Sequence, residues 1–473
     1  MGTNGRPTLG VIVGNRGFFP SHLVKSGRET VLKTLSEEQI DAVALSTEDT
    51  QNGGVESLAD AQKCGELLKA HAEDLDGILV TLPNFGDEKA VANSIRFSGL
   101  KLPVLVHAFN DIPDKMTGKN RRDSFCGKIS VCNNLGQYGI PFTLTRLHTV
   151  DPLSDSFRQD LNRFVATCRV VNGLKDVRIG AIGARPAAFN TVRYSEKLLE
   201  LHGMSVETLD LSEVFGRISA IPETDPEVQA KQKEIADYAN IRQVPEVALT
   251  KMAKLSLVIE RWMTENKLDI SAIQCWTAFE EHFGVTPCTA MSIMSNKLMP
   301  SACETDVAGA VGMYALSLAS GQPAMLLDWN NNYGEELNKA VVFHCGNLPK
   351  EVFTETPVVN FSEIFADAVG AENAYGTIAG RIKAEPFTFC RVSTDDTSGF
   401  IRAYVGEGRF TTDPMTTFGS FGIAEVPNLQ ELLQVICSNQ FEHHMAATLN
   451  LVADAIYEAM DKYLNWDVYR HAG

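Results

Sequence analysis

The first half of the chain alternates short apolar runs with longer amphipathic stretches, and this alternation constrains the fold more than any other feature. The runs Leu9 to Val13, Ala42 to Leu45, Gly77 to Leu82 and Pro103 to His107 have strand length, and helix-period segments lie between them around residues 21–35, 57–73 and 87–97. That order is the sequence sign of a parallel sheet covered by helices on both faces, in a flavodoxin-like opening domain. A second unit of the same kind begins at Val177, where VRIGAIGARP leads to a helix near 191–202 and a strand at Ser205 to Leu209. It continues through helices near 226–239, 246–266, 287–296 and 304–319 and a strand at Ser271 to Cys275, and ends near the strand MLLDW. From about residue 340 the texture changes to β-rich runs punctuated by Gly and Thr, such as EPFTFCRVS and IRAYVGEGRF, with a closing helix expected near 443–463. The expected architecture is α/β, with two flavodoxin/Rossmann-like parallel-sheet domains followed by a mostly β, barrel-like C-terminal domain. The expected boundaries are 1–170, 171–340 and 341–473.

Composition enters mainly through what it excludes. A chain of 473 residues is too long for one simple core. A net charge of -17 argues against a nucleic-acid partner, which would need dense Lys and Arg, and disfavours an anionic membrane surface. A local basic pocket for a small anionic substrate stays compatible with that charge. The opening MGTNGRPTLGVIVGN has no basic stretch followed by an apolar core, and no window is apolar enough to span a bilayer, so a cytoplasmic location is expected. Ten cysteines form no CxxC pair, against a zinc ribbon or a thioredoxin-type site. Cys275, Cys303 and Cys345 each sit beside a candidate site residue, and small apolar packing is the role assigned to them. Gly180-Ala-Ile-Gly183 lacks the GxGxxG spacing, and neither a GxxxxGK[ST] loop nor a GxSxG elbow occurs, so nucleotide and serine-hydrolase chemistry lack support.

The richest stretch runs from Gln274 to Asn347 through QCWTAFEEHFG, PSACETDVAGAVGMYAL, PAMLLDWNNNYG and VVFHCGN. Each segment puts a polar side chain at the end of an apolar strand or the start of a helix, where α/β sheets present ligand sites. Glu304 enters a helix of small apolar residues, where its carboxylate could simply favour the helix N-terminus. Asp328 closes the run Ala324 to Leu327, and a buried anion there needs a metal, a salt bridge or a turn to cap. Glu442-His443-His444 is expected to open an amphipathic helix containing Leu449, Val452 and Ile456. Two carboxylates and an imidazole make a mixed oxygen and nitrogen site, suited to manganese, magnesium, cobalt or iron, with Mn2+ the first choice.

The segment ACETDVAGAVGMYALSLASGQPAMLLDW resembles the core of the L-fucose and L-arabinose isomerase superfamily, with an acid-to-acid interval like that of the fucose branch. EHHM is similar to the family's distal imidazole pair. The resemblance implies Glu304, Asp328 and His444 as metal ligands, with the two carboxylates as catalytic acid and base. His344 in VVFHCGN matches an additional ligand of the arabinose branch. The resemblance further implies substrate contacts from Gln274, Trp276 and His443, from Phe85 in PNFGD, and from Arg16 in VGNRGFFP, a loop that family members extend into a neighbouring subunit's site. The implied protein is a homo-oligomer, hexamer, trimer or tetramer, that shares active sites between subunits. It would interconvert an aldose and a ketose through a cis-enediolate, with a divalent metal as Lewis acid. Which carboxylate is the base stays open. So does the sugar, because less sequence separates Asp328 from the third domain than in typical fucose isomerases. A sulfonated or phosphorylated sugar, such as sulfoquinovose going to sulfofructose, is the alternative, with Arg16, Arg193 and Arg391 as basic contacts. A non-catalytic sugar-binding protein is the alternative of another class.

Overall fold

In the computed structural model, which describes residues 5–472, five strands of the first third form one parallel sheet. They are β1 (Thr8–Val13), β2 (Asp41–Ala44), β3 (Gly77–Leu82), β4 (Val104–Ala108) and β5 (Thr143–Leu144), in the order 2-1-3-4-5. This is the flavodoxin-like order. Every residue of β1, β3 and β4 is buried, as central parallel strands clad on both faces must be. The residues up to Asn172, joined by 462–464, make one compact unit. The returning segment is held there by the Tyr463 hydroxyl, which accepts the Val104 N–H at 3.3 Å and donates to the Val104 carbonyl at 3.2 Å.

The second compact unit comprises the residues from Gly173 to Asp461 and those from Asn465 onward. It opens with a parallel sheet of β6 (Arg178–Ile182), β7 (Ser205–Leu209), β8 (Ile270–Ile273) and β9 (Ser301–Cys303), in the order 7-6-8-9. Its remaining strands are β10 (Ala324–Asn332), β11 (Lys339–His344), β12 (Val358–Phe361), β13 (Tyr375–Arg381), β14 (Pro386–Asp395), β15 (Phe400–Thr411), β16 (Ser420–Glu425), β17 (His444–Thr448) and β18 (Asp467–Arg470). They form a nine-stranded sheet in the order 12-13-16-11-10-17-14-15-18, and β15 also pairs with β16. That extra pairing closes β16, β11, β10, β17, β14 and β15 into an antiparallel barrel, which removes free edges from those six strands. The α/β architecture with a barrel-like C-terminal part is thus the one observed. No helix among the described residues is long and apolar enough to cross a membrane.

The helix Val307–Ser320 joins the two sheets of this unit, packing against β8 and β9 on one side and β10, β14 and β17 on the other. Its small residues allow this: every residue from Val307 to Met313 is buried, and a Cβ on Gly312 would lie 3.5 Å from the Ala446 Cβ and 3.6 Å from the Cys390 carbonyl. Asp306 caps its start by accepting the Gly309 N–H, and Gly321 ends it in the left-handed conformation.

Three local expectations change. His443 and His444 do not open a helix: His444 begins β17, whose all-buried run HMAAT lies between β10 and β14. Short apolar runs read equally as strand or helix by periodicity, and here pairing on both sides decides. The closing helical segment starts only at Ala453. Glu304 precedes its helix rather than entering it, because Glu304 and Thr305 both adopt left-handed backbone angles, φ 61 and 57, between β9 and the Asp306 cap. Lastly, the run MLLDW lies in β10, so the barrel takes in residues from Ala324 on.

If the 307–320 helix is packed as described, Gly312→Ala should be neutral or slightly stabilising, because alanine is the better helix former. Gly312→Leu should cost about 1–3 kcal/mol through overpacking. Urea midpoints of the two variants test this, and an unchanged midpoint for the leucine variant would contradict the packing.

Candidate metal centre

The antiparallel register of β10 and β17 sets Asp328 directly opposite His444. The left-handed turn after β9 delivers Glu304 to the same point: His444 Nε2 lies 2.9 Å from Glu304 Oε2 and 3.3 Å from Asp328 Oδ1. His344 ends β11, beside the Phe343 that pairs with Asp328, and its ring centroid is 5.8 Å from that of His444. Glu304, His344 and His444 each offer a donor atom within 4.8 Å of one another, and so do Asp328, His443 and His444. Glu304 Oε2, Asp328 Oδ1 and His344 Nε2 are buried atoms that make no hydrogen bond. The two carboxylate oxygens face His444 Nε2 at ion-pair distance, and the convergence of carboxylates and imidazoles on one point fits a divalent cation of the kind that takes oxygen and nitrogen donors.

The other residues expected at the site divide. The Trp276 indole N–H donates to Glu304 Oε1 at 3.0 Å, which leaves the second carboxylate oxygen turned toward the histidines. His443 Nε2 stands 3.6 Å from Asp328 Oδ1. The Gln274 side-chain oxygen accepts the Ala184 N–H at 2.8 Å, so it steadies the loop after β6. Arg16 and Phe85 belong to the first compact unit, where the guanidinium lies 4.3 Å over the Phe85 ring, donates to the Gly86 carbonyl and pairs with Glu88. Arg193 is exposed. Arg391 does not serve as a contact for an anionic substrate. It is fully buried, its Nη2 donates to Asp306 Oδ1 at 3.1 Å and its Nε to Glu442 Oε2 at 3.0 Å, so its charge is committed within the protein.

Four contributing residues, Asp306, Glu442, Ser393 and Phe189, were not assigned to the site from sequence, and Arg391 was expected there in a different role. Asp306 accepts from both Arg391 and the ring of His444, whose Nδ1 lies 2.8 Å from Asp306 Oδ2, and this holds Nε2 toward Glu304 and Asp328. Arg391 and Glu442, with Ser393 donating to Glu442 Oε1 at 2.8 Å, complete the support. Phe189 places its ring 5.4 Å from His443, 5.8 Å from His444 and 5.8 Å from Trp276, centroid to centroid, and forms an aromatic wall. Asp306 and Glu442 left a signal, as the second acid of CETD and the acid before the histidine pair, whereas Ser393 and Phe189 left none.

Electrostatics follow from this packing. Burial pushes the Glu304 carboxyl up, but the His444 and His344 rings and the Trp276 N–H outweigh it and hold it down at about 2. Burial pulls His444 down, and Asp306, Glu304 and Asp328 reverse this, pushing it up to about 10. Burial also opposes ionisation of Asp306, yet Arg391 and His444 keep it well below the usual carboxylate range. His443 goes the other way, lowered by burial and by the neighbouring His444 charge. Without a metal, a proton on His444 supplies the positive charge that the carboxylates require.

A family model described as the fucose/sulfoquinovose isomerase N-terminal domain matches residues 10–175, and one described as the L-fucose isomerase C-terminal domain matches residues 342–471. Among curated relatives, the sulfoquinovose isomerase of Priestia megaterium is 26% identical over 285 residues, 60% of this chain and 61% of the relative. That of Alkalicoccus urumqiensis is 26% identical over 275 residues, 57% of this chain and 59% of the relative. The chain thus spans about three-fifths of the length of these curated relatives.

Removing Arg391 would leave Asp306 and Glu442 buried without their cation. Arg391→Met is expected to cost about 3–5 kcal/mol in chemical denaturation. A loss below about 1 kcal/mol would show that the cluster does not support the centre.

Proposed function

The chain belongs to the fucose isomerase-like family, and from that premise we propose that it is a metal-dependent aldose-ketose isomerase acting on a sulfonated hexose of the sulfoquinovose type. The observation that carries the reading is the convergence of three buried ligand atoms, Glu304 Oε2, Asp328 Oδ1 and His344 Nε2, around the His444 ring. The choice of a sulfonated over a neutral sugar follows the relatives, which are named as sulfoquinovose isomerases. With Arg391 fully buried between Asp306 and Glu442, the exposed Arg193 and the half-buried Arg16, whose guanidinium also pairs with Glu88, are the remaining basic contacts of the three for the anionic group. In this reading the chain acts as a homo-oligomer, with Arg16 and Phe85 serving a neighbouring copy's site.

Glu304, Asp328 and His444 would hold the ion, with His344 as a further ligand, and the donor set favours Mn2+. When bound, such an ion makes the proton on the carbon beside the carbonyl acidic enough to remove near neutral pH. The protein's part is to move that proton between adjacent carbons. Glu304 and Asp328 are the groups for this, one taking the proton from one carbon and returning it to the neighbouring carbon while the other passes a proton between the two sugar oxygens. Such transfers contribute about 100-fold to 10,000-fold. Trp276 holds Glu304 by one oxygen, which restricts its rotation. Asp306, by accepting from Nδ1, fixes the His444 tautomer that directs the Nε2 lone pair into the site. His443 is placed to hydrogen-bond a sugar hydroxyl, and Phe189 with Trp276 offers an apolar wall to the sugar.

The decisive experiment strips the purified protein with chelator, restores single metals and follows ketose formation from sulfoquinovose, a hexose 6-phosphate, L-fucose and L-arabinose. Manganese-restored activity on sulfoquinovose is expected. Activity confined to a neutral sugar would keep the isomerase and remove the substrate, whereas no turnover together with no metal binding would leave a non-catalytic sugar-binding protein. Glu304→Gln and Asp328→Asn should each lower turnover by about 100-fold or more with the fold intact. Retention of more than about a tenth of the activity would contradict the acid-base roles.

A pH series gives an independent check. In the metal-free protein the charged His444 ring contributes stability that is present in full below the ordinary histidine pKa of about 6.5 and is lost as pH rises through about 10. Ligation needs the neutral ring, so Mn2+ affinity should move oppositely, rising about tenfold per pH unit with at least one proton released per ion. Calorimetric titrations in buffers of different ionisation enthalpy measure both quantities. An affinity unchanged between about pH 6 and about pH 9 would remove His444 from the ligand set.

A further inference from the structure

Ten cysteines are scattered through the sequence, yet three of them meet at one place in the second compact unit. The sulfurs of Cys288, Cys303 and Cys345 all lie within 4.8 Å of one another. They arrive from separate elements: Cys288 opens the helix Cys288–Asn296, Cys303 ends β9 and Cys345 follows β11. A fourth thiol, Cys275 just after β8, is a side-chain partner of Cys303. None is in a disulfide. Cys288 and Cys303 are buried, and Cys345 is half-buried.

From this geometry we propose a second, thiol-based metal site, formed by Cys288, Cys303 and Cys345, that takes a thiophilic cation of the zinc, cadmium or copper(I) class. Three sulfurs bonded to zinc at about 2.3 Å in a trigonal plane stand about 4 Å apart, so the observed cluster needs only small side-chain adjustments to close. The donor set is all sulfur, which selects soft ions and separates this site from the oxygen and nitrogen donors of Glu304, Asp328 and His444. Each thiol binds as a thiolate and gives up its proton on coordination. Cys288 stands at the start of a helix, where negative charge is favoured. The resulting negative charge has a neighbour that can hydrogen-bond to it: His344 Nδ1 lies 3.5 Å from Cys345 Sγ, while His344 Nε2 is the unpaired atom near the other centre. The two sites are therefore back to back on one histidine. The proposal stands on sulfur positions alone and does not depend on the isomerase reading.

The test uses the full chain with its exposed thiols removed, as Cys126→Ser and Cys437→Ser, titrated with Cd2+ alone. Thiolate-to-cadmium charge transfer absorbs in the ultraviolet and is silent for carboxylate or imidazole ligands, so occupancy of the first centre does not interfere. The expected result is a saturating band that is lost in Cys288→Ala. If that variant fails to fold, X-ray absorption at the zinc edge of the zinc-loaded parent chain replaces it, with three sulfurs expected around the metal. Absence of the band, its persistence in folded Cys288→Ala, or fewer than three sulfurs around zinc would each overturn the site and leave the cluster as packing thiols.

Discussion

Everything at the centre depends on one buried carboxylate. Asp306 is inaccessible to solvent, and its two oxygens serve three partners: the Arg391 guanidinium, the His444 ring and the Gly309 N–H of the helix it caps. A buried charge is tolerated only when it is paired and hydrogen-bonded, and here the pairing ties the start of the 307–320 helix to β14 through Arg391 and to β17 through His444. The arrangement leaves no spare room. A Cβ on Gly309 would fall 2.4 Å from Asp306 Oδ2, so only glycine lets the carboxylate sit against its own helix.

The consequence is an imidazole that cannot turn. With Nδ1 committed to Asp306, His444 can only present Nε2 to Glu304 and Asp328, which is the preorganisation that a metal ligand or a proton-transfer site requires. The same negative surroundings that raise the His444 pKa favour a divalent cation in its place. A metal ion bound there would compete with the proton for one location, and the proposed dependence of affinity on pH follows from that competition.

The closed barrel and the short parallel sheet of the second unit divide the work of positioning. The sheet contributes Glu304 and Trp276 from the turns after β9 and β8, and the barrel contributes Asp328, His344 and His444 from three adjacent strands. Because strand register is specified by which face is buried, a slip of one residue in β10 or β17 would turn Asp328 or His444 to the opposite face. The small residues of the 307–320 helix bring the two halves close enough for these side chains to meet.

Much of this was legible from residue types alone. Apolar runs of strand length alternating with helical periods determine the two parallel sheets, because only helices on both faces can cover such strands. Glu304 and Asp328 stood out as acids at the ends of apolar runs, where an isolated charge is costly. What the tertiary structure decided lies in partners distant along the chain. HMAAT is a strand because β10 and β14 flank it, Arg391 became a support for the centre because Asp306 and Glu442 surround it, and Phe189 joined the wall only through folding. Local pattern reports how one segment buries its own faces; it carries no record of which charge from a distant segment, Asp306 and Arg391 being 85 residues apart, will neutralise a given side chain in the interior.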